Sequence, residues 1–337
     1  MISPMTTLHP APAVTDDALR VLRRIESLRR PLLVSHIRLD GDALGSELAL
    51  WHLLRARGLD PRVVNDSLIP LIYRWMPGVE SVGTSARDLR GAYDAVIMVD
   101  NPSWSRAKAI RDALPRDIAT ISIDHHIPVE QTAEFAWVDT GRSSVGEMIY
   151  ALARAGEWTI PPEAATCMYV ALLTDTGRFT FPNTTAETLH VAGDLVQLGA
   201  EHVRAAEKVY QETTFGLFKL RGETMDSLKL FSGGRIAVMT ITHDMLQRNG
   251  VDPIDTQEMA DYPRSVSGVQ IGVLLREMKA EGQVKVSLRA RKGTNIEPAA
   301  RALGGGGHKE AAGAEVNGGT AEVEARVLQL VQTALRD

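Results

Sequence analysis

Four short apolar runs in the first half of the chain set the strongest limit on its fold: PLLVSH at 31–36, RVVN at 62–65, AYDAVIMVD at 92–100 and IATISIDHH at 118–126. Each reads as a strand, and the first is followed by the amphipathic helical pattern ELALWHLLRARG. Strands alternating with helical patterns predict βαβ units and a parallel sheet. Three helical patterns come next, SSVGEMIYALARAG, PEAATCMYVALLTDTG and TAETLHVAGDLVQLG, with Pro161 and Pro162 suited to a helix start and Gly156 and Gly199 to stops. After Phe231 the pattern changes to RIAVMTIT, GVQIGVLLREM and QVKVSLRAR as strands, then helix IEPAARAL, a glycine cluster and a terminal helix. The expected fold is α/β: an N-terminal, mostly parallel sheet flanked by helices over 1–200, a helical connector over 201–228, and a smaller C-terminal α/β domain over 229–337.

A chain of 337 residues, 44% hydrophobic and 23% charged, fits two globular domains rather than a disordered or fibrous protein. Its single cysteine, Cys167, excludes an intramolecular disulfide and a thiolate zinc cluster, which suits a reducing cytoplasm. The opening MISPMTTLHPAPAV lacks a basic start and a long apolar core, and no apolar run approaches the ~18 residues of a membrane span, so a soluble, cytoplasmic protein without membrane partners is expected. A net charge of −5 argues against a surface that tracks long nucleic acid, since that affinity depends on neutralising many phosphates. Small anionic ligands remain compatible with it, and so does a homodimer.

The chemistry lies where the runs stop. His36, Asp40 and Asp42; Asp100; Asp124, His125 and His126; and Asp175 form four groups, all expected at the C-terminal ends of strands, where open α/β sheets bind ligands. A single Asp after a strand is often a helix cap and a single His is usually packed, but four such groups in one context are hard to explain as turns. Crowded anions repel in a low-dielectric cleft unless cations neutralise them. Carboxylates and imidazoles without thiolates suit Mn²⁺ or Mg²⁺, with Co²⁺ or Zn²⁺ as alternatives in vitro. The ligands outnumber the needs of one tetrahedral ion, so two divalent ions are expected, with manganese as the expected metal.

HIRLDGDALGS, Asp100 of VIMVD, the Asp-His-His of SIDHH, and LLTDTGRF together resemble motifs one to four of the DHH phosphoesterase superfamily. GGGGHKEAAG, preceded by KVSLRAR, resembles the DHH-associated C-terminal domain of that superfamily. The resemblance is strongest to the short two-domain NrnA type, and it implies hydrolysis of very short oligoribonucleotides and of adenosine 3′,5′-bisphosphate (pAp). Phosphodiesterases for linear dinucleotides and single-strand exonucleases share the metal motifs and are the alternatives; a nucleotide-sensing protein is the non-enzymatic one. Carried over, the resemblance assigns one ion to His36, Asp40 and Asp100 and the other to Asp42, Asp100, His125 and Asp175. Asp100 would be the bridge, His126 would face the scissile phosphoryl group, and a hydroxide from bridging water would attack phosphorus.

Asp124 could orient an imidazole or cap its strand, and Ser46 could cap a helix or support a ligand. The resemblance makes Arg289 and His308 substrate-binding residues, and Gly305, Gly306 and Gly307, in the run starting at Gly304, could let backbone N–H groups approach a phosphate. Arg142, Arg178, Tyr73, Trp75 and Trp104 are read as packing or surface residues. His9, His52, His190, His202 and His243 receive no chemistry.

Overall fold

A computed structural model describes residues 8–128, 133–278 and 282–335; part of the opening stretch read above, residues 1–7, lies outside these. The chain divides into two compact units, one through Glu212 and one from Thr213, a division inside the stretch expected to be a helical connector.

The first unit opens with α1 (Asp16–Glu26), which the sequence reading passed over although its signals are ordinary. Thr15 caps it, Asp16 and Asp17 stand in its first turn, and Ala18, Val21, Leu22 and Ile25 bury one face. Strands β1 (Pro31–Val34), β2 (Arg62–Val64), β3 (Val82–Gly83), β4 (Ala95–Val99), β5 (Thr120–Asp124) and β6 (Phe135–Val138) form one six-stranded sheet in the order β3-β2-β1-β4-β5-β6. Every pairing in it is parallel.

A parallel sheet must be covered on both faces, and the side chains divide accordingly. Leu33, Ile97, Val99, Ile121 and Ile123 enter the large core shared with α1, α2 (Gly41–Ala56), α4 (Val145–Ala155) and α5 (Pro162–Asp175). Leu32, Val34, Val96 and Met98 point to the other face, where Ile110 of α3 (Lys108–Asp112) packs. Helix α2 is buried almost all round, and two glycines explain how it lies so close to α5. A Cβ at Gly45 would stand 2.7 Å from the Cys167 carbonyl oxygen, and one at Gly41 would stand 2.3 Å from Thr174 Oγ1. Helices α6 (Ala186–Gln197) and α7 (His202–Ala206), with a π-helical turn over Glu207–Gln211, complete the unit.

The second unit starts with α8 (Phe215–Asp226), followed by β7 (Lys229–Phe231), β8 (Ile236–Ile241), α9 (His243–Asn249), α10 (Tyr262–Ser265), β9 (Ile271–Glu277) and β10 (Gln283–Ala290). It closes with α11 (Glu297–Ala302), β11 (Gly306–Gly307), β12 (Ala311–Asn317) and α12 (Thr320–Gln332). Its mixed sheet runs β11-β12-β10-β9-β8-β7, antiparallel except for β8 with β9. Val284, Val286 and Leu288 of β10 enter a core with α11 and α12, so Arg289 falls on the opposite face, paired in register with Gly272. No helix among the described residues is long and apolar enough to cross a membrane.

Candidate active site

Strand order alone marks a place for a site. The chain steps from β1 to β2 and β3 on one side and then returns to place β4 on the other, so the direction of winding reverses between β1 and β4. A crevice opens beyond the C-terminal ends of such a strand pair. His36 lies two residues past the end of β1, and Asp100 directly follows β4.

Asp100 is buried and has φ +53°, a left-handed conformation that residues with a Cβ seldom adopt and that costs on the order of 1–3 kcal/mol. Its N–H donates to the Ile123 carbonyl at 3.0 Å, which ties the turn to β5. Around its carboxylate stand His36 Nε2 at 3.4 Å, His126 Nδ1 at 3.3 Å and His125 Nε2 at 3.7 Å. His125 Nε2 is also 3.6 Å from Asp42 Oδ2 and 3.7 Å from Asp175 Oδ2, and His36 Nε2 is 3.7 Å from Asp40 Oδ2.

Three sets of side chains therefore bring ligand atoms within 4.8 Å of one another: His36, Asp40 and Asp100; Asp42, His125 and Asp175; and Asp100, His125 and His126. Asp100 belongs to two of them. Its Oδ1 is buried and makes no hydrogen bond, with the His126 and His125 imidazoles approaching only to 3.3 and 3.7 Å, so it is an acceptor that a divalent cation would satisfy. This donor set, all oxygen and imidazole nitrogen, fits divalent metal binding.

The supporting contacts point the ligand atoms inward. Nδ1–H of His36 donates to the Ile37 carbonyl at 2.8 Å, and Nδ1–H of His125 donates to the Arg142 carbonyl at 3.2 Å, so Nε2 of each ring faces the carboxylates. Asp42 accepts the N–H groups of Val145 at 2.8 Å and Gly146 at 3.0 Å, in the first turn of α4, and the Ser46 hydroxyl at 2.9 Å. Asp40 caps α2, its Oδ1 accepting from Ala43 at 3.0 Å.

Electrostatics record the crowding. Burial, reinforced by Asp42 and Asp40, holds the Asp100 carboxyl well above the usual carboxylate range, and burial raises Asp42 as well. Burial and the neighbouring Asp42 push Asp175 to about 8. Burial alone would depress His125, but Asp42, Asp175 and Asp100 outweigh it and lift the imidazole to about 9. The group therefore holds protons that an incoming cation would displace.

The eight residues of the four strand-end groups converge, with two corrections: Asp175 is the last residue of helix α5, not a strand end, and Asp42 lies in the first turn of α2. Asp124 accepts from Nδ1–H of His126 at 2.8 Å and from its backbone N–H at 2.9 Å. Burial would raise the Asp124 carboxyl, but these bonds hold it below the ordinary value. His126 is the more open member, its side chain 31% exposed against 2% for Asp100.

Of the residues read as packing, Arg142 is tied into a buried network and Tyr73 is buried. Arg178, Trp75 and Trp104 are engaged in cation–π pairs with Tyr210, Arg204 and Arg111 respectively. In the second unit, Arg289 donates to the Leu288 carbonyl at 3.0 Å and lies 3.6 Å from Asp261, while His308 is exposed. The N–H groups of Gly304, Gly305 and His308 donate to the carbonyls of Arg301, Ala300 and Ala311, and Gly306 and Gly307 form β11, paired in register with Gly313 and Ala312 of β12. Close packing gives these glycines a second reason: a Cβ at Gly305 would stand 2.0 Å from the Gly313 oxygen, and Gly307 has φ +141°.

Sequence reasoning missed Asn65 and Glu147. Asn65, at the end of β2, accepts the Ser35 N–H at 2.7 Å and donates to buried Glu47 at 2.7 Å, which fixes the turn that carries His36. Its polar side chain closing an apolar run was the same signal that marked the other groups. Glu147 stands three residues after the cap Ser144, a spacing that looks like ordinary capping and conceals its contacts with the preceding loop.

Residues 31–172 match the N-terminal domain of the DHH family, and residues 233–337 match the DHHA1 domain. The chain is 30% identical over 299 residues to the bifunctional oligoribonuclease and PAP phosphatase NrnA of Bacillus subtilis, covering 88% of this chain and 92% of that one. It is 30% identical over 331 residues to the protein of the same name from Thermus thermophilus, covering 97% of both. An exopolyphosphatase-related protein from Bacteroides fragilis shares the fold, with a TM-score of 0.87, 24% identity, and coverage of 95% of this chain and 98% of that one.

Proposed function

The chain belongs to the DHH family, and from that premise we propose that it is a metal-dependent phosphohydrolase that degrades very short oligoribonucleotides and removes the 3′-phosphate of pAp. One observation carries the reading: Asp100 is shared between two ligand sets and keeps a buried carboxylate oxygen without a hydrogen bond. The relatives named as oligoribonucleases and PAP phosphatases, matched over nearly their full length, supply the substrate class.

Two divalent ions, manganese by preference, are the proposed complement. His36, Asp40 and Asp100 would hold one; Asp42, Asp100, His125 and Asp175 would hold the other. When bound, such ions supply Lewis acidity toward the phosphoryl oxygens and lower the pKa of water. The protein's part is orientation and proton control. Ile37 and Arg142 carbonyls fix the ligating imidazoles, and the α4 N–H groups fix the orientation of the Asp42 carboxyl group. His126, anchored at Nδ1 by Asp124, presents its other nitrogen to the phosphoryl group, where a hydrogen bond strengthens as charge builds on the oxygens. Arg289 and His308 are assigned to the substrate's non-scissile phosphate, with Gly306 and Gly307 permitting close approach. A cytoplasmic setting suits these substrates and the single buried thiol.

The test compares turnover of pAp, a diribonucleotide and a ~20-nucleotide strand with Mn²⁺ at one fixed salt concentration. Faster cleavage of pAp and the dinucleotide is expected. Faster attack on the long strand, or no hydrolysis of any of the three, overturns the assignment.

A further inference from the structure

Arg142 lies between the third and fourth motif groups in the sequence, and its side chain bonds to residues outside them. Its guanidinium, 10% exposed, donates to Glu147 Oε1 at 3.1 Å, Asp139 Oδ2 at 3.2 Å, Glu187 Oε1 at 2.5 Å and the Ala13 carbonyl at 2.6 Å. The second oxygen of Glu147 accepts the Ser143 hydroxyl at 2.6 Å, the Ser143 N–H at 3.3 Å and the Thr188 hydroxyl at 3.0 Å. Glu147 is itself buried, in the first turn of α4.

A buried ion pair is expensive to desolvate, and an apolar pair of similar size would often stabilise a core as well. What an apolar pair could not do is hold the 139–144 loop in one orientation. The Arg142 carbonyl from that loop accepts Nδ1–H of His125. Rotating that peptide would remove the acceptor, freeing the ring to turn or to carry its proton on Nε2, the atom that faces Asp42, Asp100 and Asp175.

The same helix end holds Asp42 through the Val145 and Gly146 N–H groups. Two members of the set Asp42, His125 and Asp175 thus depend on the start of α4, whereas His36 and Asp40 are held by Ile37 and Ala43. We propose that Glu147 is a positioning residue: by locking the Arg142 loop, it aims His125 and makes the Asp42–His125–Asp175 half of the centre selectively competent to bind a divalent ion. The inference rests on the two-ion reading above.

Calorimetric titration of metal-free protein with Mn²⁺ tests it, with Glu147→Gln removing the charge at constant volume and Arg142→Lys removing the fork while keeping the charge. In Glu147→Gln one ion binds as in the wild type and the other about 10–100-fold more weakly. Its kcat on pAp at low Mn²⁺ falls in proportion, KM is unchanged, and excess Mn²⁺ restores turnover. Arg142→Lys shows a smaller loss of the same ion. A wild type that binds fewer than two ions defeats the two-ion reading itself. A wild type that binds two ions, with both variants either matching it or weakening both ions equally, defeats the positioning role alone. Should Glu147→Gln not fold, Arg142→Lys decides by the same selectivity.

Discussion

Nε2 of His36 stands 3.4 Å from Oδ2 of Asp100, although 64 residues separate them in the chain. The contact exists because β1 and β4 are parallel neighbours, with Val34 paired to Met98, so both strands deliver their next residues to the same end of the sheet. The winding order brings them together, and the apolar strands hold them there.

Asp100→Asn tests the shared carboxylate while tolerating the left-handed backbone, which Asn adopts more readily than most residues. Turnover of pAp is expected to fall by more than the 10–100-fold typical of losing an outer-shell partner, with thermal stability of the metal-free protein retained or raised. Activity within threefold of wild type contradicts the bridge.

Protonation of the centre sets a pH dependence. Glu47, pushed to about 8 by burial, Asp175 at about 8 and His125 at about 9 all bind protons more tightly in the folded chain than in the unfolded one. Their contribution is complete below the unfolded pKa values and is lost as pH climbs through the folded ones. Metal-free protein should therefore melt at a lower temperature at pH 8.5 than at pH 6, and Mg²⁺ should raise the midpoint more at the higher pH, since ligation displaces protons. A midpoint that rises with pH without metal speaks against the proton-loaded centre.

Gly45→Ala places a methyl 2.7 Å from the Cys167 carbonyl oxygen and 3.1 Å from the Ala171 nitrogen, both backbone atoms that cannot swing aside. A loss of ~1–3 kcal/mol in chemical denaturation is expected from forcing α2 away from α5. Asp42 and Asp175 ride on those two helices, so weaker Mn²⁺ binding accompanies it. Unchanged stability would show that the helices are not packed against Gly45.

Asp124→Asn removes the carboxylate that accepts Nδ1–H of His126. Turnover should fall about 10–100-fold with little change in Mn²⁺ affinity, and the acidic limb of the pH–rate profile should shift. A variant that instead loses metal would assign His126 to the ligand set it shares with Asp100 and His125.

Much of this centre was legible because its residues cluster locally: His36, Asp40 and Asp42 within one turn, and Asp124 to His126 in succession. Asp175 was found and grouped with the strand ends, although the pattern PEAATCMYVALLTDTG that it closes reads as a helix and is α5. Strands β3 and β6 escaped because two to four residues carry little periodicity, and β12 was absorbed into the glycine run that it pairs with. Arg142 and Glu147 could not be read at all as supports of His125, because that role arises only when the loop before α4 folds against the end of β5. Local chemistry leaves a mark in sequence; support across the fold does not.

The most direct measurement is anomalous scattering at the manganese edge from crystals grown with Mn²⁺. Two peaks are expected, both beside Asp100, one with His36 and Asp40 and the other with Asp42, His125 and Asp175. A single peak, or peaks that leave the Asp100 carboxylate uncoordinated, would contradict the account.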